Sequence, residues 1–321
     1  MDEIEIGIIG GGPAGLSAGI YAARARRNVV LFEPGMIGGQ IASTGTIENY
    51  PGFPDGVNGL DLALAMQRQA DAFGLETRAV PVKAIRRDGH RFVLETDSGD
   101  VSCDAVIATA GAEANKLNVP GEAELVGHGV SYCAACDAAF FRDVPVAVVG
   151  GGDAALDEAL FVARFASKVT IVHRRDTFRA SKILQEHVFA EPKIAIIWNT
   201  VVDRVHGEGA LSSISLRDVV TGASRELAVG GLFVLVGQTP NSALLKGLVP
   251  LDPSGHAIVN LWMETDVPGF FVAGDLRADA ARPLVSAAGD GATAAIRADR
   301  YLTLDFEHPP ATATGIDERR S

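Results

Sequence analysis

Two glycine-rich turns, spaced 140 residues apart, constrain this 321-residue chain more than any other feature. The first lies in "IEIGIIGGGPAGLSAGIYAARARRNVVLFEPG". Ile4–Ile9 is a short apolar run of the kind that forms a strand buried on both faces. Gly10, Gly12 and Gly15 follow in G-x-G-x-x-G spacing, and Pro13 and Ala14 open an Ala-rich stretch that reads as a helix to about Arg27. A second strand, Val29–Phe32, ends at Glu33. In this context the glycines permit a tight turn and close approach of backbone to a pyrophosphate. The helix N-terminus faces the phosphates, and the acid accepts hydrogen bonds from ribose hydroxyls. The pattern returns in "VPVAVVGGGDAALDEALFVARFASKVTIVHRR", where Gly150, Gly152 and Ala155 stand in the places of Gly10, Gly12 and Gly15, with Asp153 and Ala154 opening the helix. One such match is weak evidence. Two at a single offset, each between a strand and a helix, point to an α/β fold with two dinucleotide sites.

The same offset carries Glu33 onto His173, followed by Arg174 and Arg175, with Arg179 close behind. A carboxylate at this place favours a free ribose hydroxyl and repels a 2′-phosphate, whereas arginines bind one through charge-assisted hydrogen bonds. The first site therefore expects FAD and the second NADPH. Between the copies, Glu76–Thr109 alternates short β runs with turns, which reads as an antiparallel insertion before the strand "AVIAT". Residues 194–236 follow a similar pattern and end in the strand Gly231–Gly237. Phe270–Asp275 reads as a further buried strand, with a helix beginning near Val285.

Formal net charge is −12, and basic residues are scattered or in short clusters, so the extended positive patch that nucleic acid or an anionic membrane requires is not expected. No apolar run is long enough to cross a bilayer. The N-terminus is acidic and enters a strand directly, without the basic region of a signal peptide, so a cytosolic setting is expected. The tail "DFEHPPATATGIDERRS", with two prolines and little apolar content, is expected to fray.

Against that background, two of the three cysteines fall in "SYCAACDAAFF": Cys133 and Cys136, followed at once by Asp137. Three readings compete. Zinc needs about four ligands, but the remaining cysteine, Cys103, lies in a predicted strand and His128 is poorly spaced. A structural disulfide is rare in the cytosol. A redox pair fits best, because closely spaced thiols form a small ring that exchange opens readily. Cys103 reads as a small buried apolar residue. Asp137 is either a helix cap or a proton donor and acceptor for the thiols. Of Phe140 and Phe141, adjacent and so pointing different ways, at least one is expected in the core.

The segments "GGGPAGLSAGIYAARA", "GGQI", "IENYPGFP", "GVSYCAACD", "GGGDAALDEALF", "VHRRDTFRASK", "VAGDLR" and "AAGDGATAA" resemble the low-molecular-weight thioredoxin reductases nearly end to end. The resemblance implies two Rossmann-like domains in three layers, the NADPH domain inserted into the FAD domain: 1–114 and 245–321 for FAD, 115–244 for NADPH and the cysteines. It implies that Gly38, Gly39, Gln40, Asn49, Gly274 and Asp275 also contact FAD, with Arg282, Pro283 and Leu284 beside the flavin. It further implies a homodimer, Cys136 facing the flavin, Cys133 attacking the thioredoxin disulfide, Asp137 as general acid, and thioredoxin docking near Phe140 and Phe141. Because nicotinamide and dithiol share one domain, the family rotates that domain between two orientations; the hinges fall here at 112–117 and 240–247. The chain departs from the family at Ala138, where Gly is usual and a positive φ would strain Ala. It departs at Arg282-Pro283, where Arg-Gln is usual, and at Thr109-Ala110-Gly111, where the family has Ala-Thr-Gly. A flavin-dependent dithiol oxidase, a ferredoxin-type reductase of the same fold and a non-turnover redox sensor are the rival readings.

Overall fold

The computed structural model describes residues 2–44 and 46–306; the tail from residue 307 onward lies outside the described residues. The chain divides into two compact units. One comprises Met1–Thr44, Val57–Gly111 and Pro240–Ser321, the other Gly45–Gly56 and Ala112–Thr239. In chain order the first unit opens with β1 (Asp2–Ile9), α1 (Pro13–Arg24) and β2 (Val29–Phe32). Two short strands, β3 (Thr46–Ile47) and β4 (Val57–Asn58), lead to α2 (Gly59–Ala72), β5 (Glu76–Arg78), β6 (Val82–Asp88), β7 (Arg91–Thr96) and β8 (Val101–Ala108). The second unit continues with β9 (Ala112–Ala114), β10 (Val130–Ser131), α3 (Ala134–Asp137), β11 (Pro145–Val149), α4 (Asp153–Ala163), β12 (Lys168–Val172), α5 (Lys182–Ala190) and β13 (Ile194–Ile197). It closes with β14 (Thr200–Gly207), β15 (Leu211–Asp218), β16 (Ser224–Ala228), β17 (Gly231–Val234) and β18 (Gln238–Pro240), and the chain returns to the first unit for β19 (Phe270–Val272) and α6 (Leu284–Arg300).

The first unit is built on a seven-stranded sheet ordered β5-β2-β1-β8-β7-β6, with β19 also on β8. β1 runs parallel to β2 (Ile9 opposite Phe32) and to β8 (Ile6 opposite Ala105). These central strands are apolar without alternation because helices and loops cover both faces, and Ile6, Ile8, Val30 and Leu31 are fully buried. The expected antiparallel insertion and the strand after it are one element. β8 pairs antiparallel with β7 through Cys103 and Val101, then on the same edge takes β19 in parallel from Val106 to Ala108. α1 starts at Pro13, where the missing N–H costs nothing, and stops at Arg24 instead of the expected Arg27. Arg26 turns to positive φ (63°), which frees Arg27 to bridge Glu5 at 2.8 Å and Asp299 at 2.7 Å.

The second unit holds a five-stranded, wholly parallel sheet ordered β10-β17-β11-β12-β13. Val146, Val148, Val169, Ile171 and Phe233 are buried in it, with Leu156, Ala159 and Val162 of α4 laid on one face. The two copies differ in their meanders. β14, β15 and β16 form a separate three-stranded antiparallel sheet, whereas the first meander is continuous with its parent sheet. No helix among the described residues is long and apolar enough to cross a membrane.

Candidate active site: two glycine turns and a redox pair

In the first unit β1 ends at Gly10, whose φ of +108° suits only glycine. A Cβ on Gly15 would lie 1.9 Å from the Gly10 carbonyl oxygen, so α1 approaches the turn as closely as backbones allow. A side chain at Gly12 would meet open space, which leaves its backbone approachable. Glu33, at the tip of β2, accepts the Gly11 N–H through Oε2 and the Gly35 N–H through Oε1, both at 2.8 Å. The Gly38 N–H donates to the Gly11 carbonyl at 2.8 Å, and a Cβ on Gly39 would be 3.4 Å from the Gly12 Cα, which brings Gly38, Gly39 and the start of Gln40's turn onto the glycine loop. Thr109 closes the other side, its hydroxyl donating to the Ile9 and Gly10 carbonyls at 3.0 and 2.8 Å.

The distant C-terminal segment reaches the same place. Gly291 of α6 lies against Ala14, where a Cβ would be 1.9 Å from its carbonyl oxygen, and a Cβ on Gly274 would be 3.1 Å from the Ala14 methyl. Asp275 follows. Burial pushes its carboxyl up to about 6, against the pull of the Arg282 and Arg277 charges, and its Oδ1 is buried without a hydrogen-bond partner among the described residues. A buried orphan acceptor beside a glycine turn is the polar complement of a hydroxyl-bearing ligand. Asp290 pairs with Arg277 at 2.7 Å and accepts the Gly274 N–H at 3.3 Å. Arg282 has φ +74°, unusual for a residue with a side chain, and Pro283 caps α6 while its carbonyl accepts from Ser286 and Ala287; Leu284 is the first helical residue. Asn49 is exposed and belongs to the Gly45–Gly56 segment, which groups with the second unit.

In the second unit the turn is built differently. A Cβ on Gly150 would meet the Ala155 methyl and the Leu235 carbonyl oxygen, each at 2.5 Å, so Ala155 fills the contact that Gly15 leaves to backbone. Ala155 is buried, while Asp153 and Ala154 are exposed at the start of α4, and Asp153 accepts the Ser181 N–H at 2.7 Å. His173 stands in the register of Glu33 but turns inward. Its ring lies under Gly151, where a Cβ would be 2.2 Å from Cε1, packs near Phe178 and Trp198, and Nε2 meets the Thr177 carbonyl at 3.0 Å. Burial holds its pKa below the ordinary value, so it is a neutral support for the turn. Arg174, Arg175 and Arg179 are exposed and enter none of the ion pairs among the described residues. Arg179 returns to the turn through its N–H, which donates to the Gly151 carbonyl at 2.8 Å. The result is a glycine turn flanked by uncommitted guanidinium groups, which is what a phosphorylated ribose requires.

The same unit carries Cys133 and Cys136 as a disulfide with Cα atoms 5.3 Å apart. Cys133 caps α3, and the Asp137 N–H closes the turn on the Cys133 carbonyl at 3.2 Å. Ser131, which sequence reasoning passed over, organises the approach. Its Oγ accepts the Cys133 N–H at 3.1 Å and donates to the Cys133 carbonyl at 3.2 Å. Burial raises the Asp137 pKa, and the Ser131 hydroxyl partly offsets this. A carboxyl so placed holds a proton more readily than a solvated one, which suits exchange chemistry that releases thiolates. Ala138 has φ −56°, so the departure from glycine carries no strain. Phe141 packs edge-on to Phe233 with ring centroids 5.1 Å apart, while Phe140 is 51% exposed. Glu122 and Glu158 were also missed: Glu122 accepts from Leu117, Asn118, Val119 and Tyr132, and Glu158 from Ala134. Cys103 is fully buried in β8 of the first unit, where desolvation pushes its thiol up to about 12 and leaves it inert.

Two glycine turns and an exchangeable disulfide define a nucleotide-linked disulfide oxidoreductase, and the chain belongs to the pyridine nucleotide-disulphide oxidoreductase family, which it matches over residues 4–296. It is 42% identical over 309 residues to the thioredoxin reductase of Peptoclostridium acidaminophilum, covering 94% of this chain and 98% of that protein. It is 45% identical over 304 residues to the thioredoxin reductase of Streptomyces clavuligerus, covering 94% of each. The crystal structure of thioredoxin reductase from Streptococcus pyogenes superposes with a TM-score of 0.89 at 41% identity, over 94% of this chain and 98% of that one.

Proposed function

We propose that this chain is an NADPH-dependent thioredoxin-disulfide reductase that passes two electrons through FAD and the Cys133–Cys136 pair to thioredoxin. The observation that carries the reading is the disulfide at the start of α3, in the same compact unit as a glycine turn flanked by Arg174, Arg175 and Arg179. The first glycine turn, with Pro13, Ala14, Glu33, Gly38, Gly39, Gln40, Asn49, Gly274, Asp275 and the Arg282–Leu284 segment, holds FAD. The second, with Asp153, Ala154 and the three arginines, holds NADPH, the arginines gripping the 2′-phosphate. Bound FAD supplies the relay between a hydride donor and a dithiol.

The protein's own residues do the rest. Opening the disulfide takes two electrons and leaves Cys136 on the flavin side and Cys133 toward the partner. The Cys133 thiolate attacks the thioredoxin disulfide and forms a mixed disulfide, and Cys136 then displaces the reduced thioredoxin. Asp137 gives the proton that the leaving thiolate takes up. Phe140, exposed beside the Phe141 that packs on Phe233, meets the partner. The protein works in the cytoplasm as a homodimer, and the second unit rotates about hinges at 112–117 and 240–247.

Serine substitution of each cysteine tests the scheme. NADPH bleaches the flavin in both variants while turnover with thioredoxin falls to background. Cys133→Ser leaves Cys136 and shows a long-wavelength thiolate–flavin band; Cys136→Ser leaves Cys133 and traps a mixed disulfide with a thioredoxin lacking its resolving cysteine. Thioredoxin turnover surviving in either variant would remove the pair from the mechanism.

A further inference from the structure

The N–H of Ala134 is one of the donors that the start of a helix leaves without an intrahelical partner. Such donors beside a cysteine ordinarily stabilise its thiolate. Here the donor is already engaged: the Ala134 N–H donates to Glu158 Oε2 at 2.8 Å. Glu158 lies on α4, against which α3 packs, so the contact is made inside one unit and is held by helix packing. The carboxylate thus sits one peptide unit from Cys133. α3 has only four residues, so no helix dipole is invoked.

The charged side chains of α3 and α4 are all acidic. Asp137 lies at the far end of α3. Glu122, on the segment before the pair, is occupied by the Tyr132 hydroxyl and three backbone N–H groups. On α4, Asp157 is exposed and Asp153 is bound to the Ser181 N–H. A thiolate formed at Cys133 therefore finds the N–H of the adjoining Ala134 already engaged by a carboxylate.

We infer that Glu158 is a positioning residue that makes the reduced Cys133–Cys136 pair a stronger reductant, by withholding the Ala134 N–H from the thiolate and placing a negative charge behind it. The inference rests on the proposed function only in taking these two cysteines as the redox pair. Stabilising a thiolate stabilises the reduced form and weakens a dithiol as a reductant; Glu158 works in the opposite direction. The exchange that reports this is balanced: two protein thiols and one glutathione disulfide give the protein disulfide and two glutathione thiols.

The test uses the full FAD-loaded chain, reduced with dithiothreitol, so neither NADPH nor thioredoxin is needed. Glu158→Gln keeps size and acceptor but removes the charge. Its thiol pKa, read from the pH dependence of iodoacetamide alkylation, should fall by about 0.5–1 unit. Its equilibrium in glutathione buffers should move about 3- to 10-fold toward the dithiol. Glu158→Ala, which also releases the Ala134 N–H, should shift at least as far, and Asp157→Asn should not shift. Thermal denaturation of the oxidised variants separates these effects from loss of fold. A Glu158→Gln protein, or an Ala variant should the Gln protein not fold, with alkylation profile and equilibrium within about 2-fold of wild type would overturn the inference. Because no thioredoxin enters the assay, a shift found in a protein that fails to reduce thioredoxin would support Glu158's role and count against the proposed function alone.

Discussion

Replacing Glu122 should cost more than its place in a surface-like sequence, "GEAELVG", implies. The side chain is 2% exposed and gathers four donors. Oε1 accepts the Leu117 N–H at 2.9 Å and the Tyr132 hydroxyl at 3.0 Å; Oε2 accepts the Asn118 and Val119 N–H groups at 2.7 and 3.4 Å. In Glu122→Gln one oxygen becomes an NH2 group that can accept nothing. If the oxygen replaces Oε1, two backbone donors are stranded. If it replaces Oε2, the Tyr132 hydroxyl can rotate to accept but the Leu117 N–H cannot. The better arrangement leaves one buried N–H unpaired, at about 1–3 kcal/mol, and weakens the remaining bonds from charge-assisted to neutral, for a total of about 3 kcal/mol. Tyr132→Phe removes one donor and strands no acceptor completely, so it should cost about 1 kcal/mol. Hydrogen exchange at the Leu117 and Asn118 amides reads the local effect, where about 3 kcal/mol corresponds to roughly a 100-fold loss of protection. Urea unfolding reads the global one. Protection in Glu122→Gln within about 2-fold of wild type, or a Tyr132→Phe penalty equal to it, would refute the clamp.

Other outcomes follow from the same geometry. Arg174→Ala and Arg175→Ala should each raise the Michaelis constant for NADPH by about 10- to 100-fold, the equivalent of about 1.5–3 kcal/mol, and leave that for NADH unchanged; equal use of both cofactors by wild type would contradict the phosphate assignment. Asp275→Asn should weaken FAD binding, measured by flavin fluorescence. In flavin-stripped protein it should also remove a pH dependence. The Asp275 carboxyl is raised to about 6, so the folded state holds a proton there that the unfolded state has released. Its contribution is full below about pH 4 and is lost as pH rises through about 6, a change of about 3 kcal/mol by urea unfolding. Wild-type and Asp275→Asn proteins with the same pH profile would remove Asp275 as the source. Phe140→Ser should raise the Michaelis constant for thioredoxin about 5-fold or more with stability unchanged, whereas Phe141→Ser should destabilise the second unit by about 3 kcal/mol in thermal unfolding; the opposite pattern would exchange their roles.

The repeated strand–turn–helix was legible before any coordinates, because glycine spacing and apolar runs are local requirements of backbone geometry that any fold must meet. Gly10, with φ +108°, and Gly15, against the Gly10 carbonyl, are where the spacing says they should be. The sequence also separated the registers of Glu33 and His173, but not what each does. Both support the middle glycine of their turn, one by accepting the Gly11 N–H and the other by filling the space under Gly151 with a ring. The Ala-rich composition joined Arg27 to α1; in the structure it bridges two distant carboxylates, Glu5 and Asp299, which belong to other elements. Phe140 and Phe141 are identical in type, and only the position of Phe233 decides which packs against the core. Ser131, Glu122 and Glu158 gave no signal, because their partners are chiefly backbone N–H groups, which every residue but proline carries. Which N–H meets which carboxylate depends on how strands, loops and helices pack, and that is a property of the tertiary structure alone.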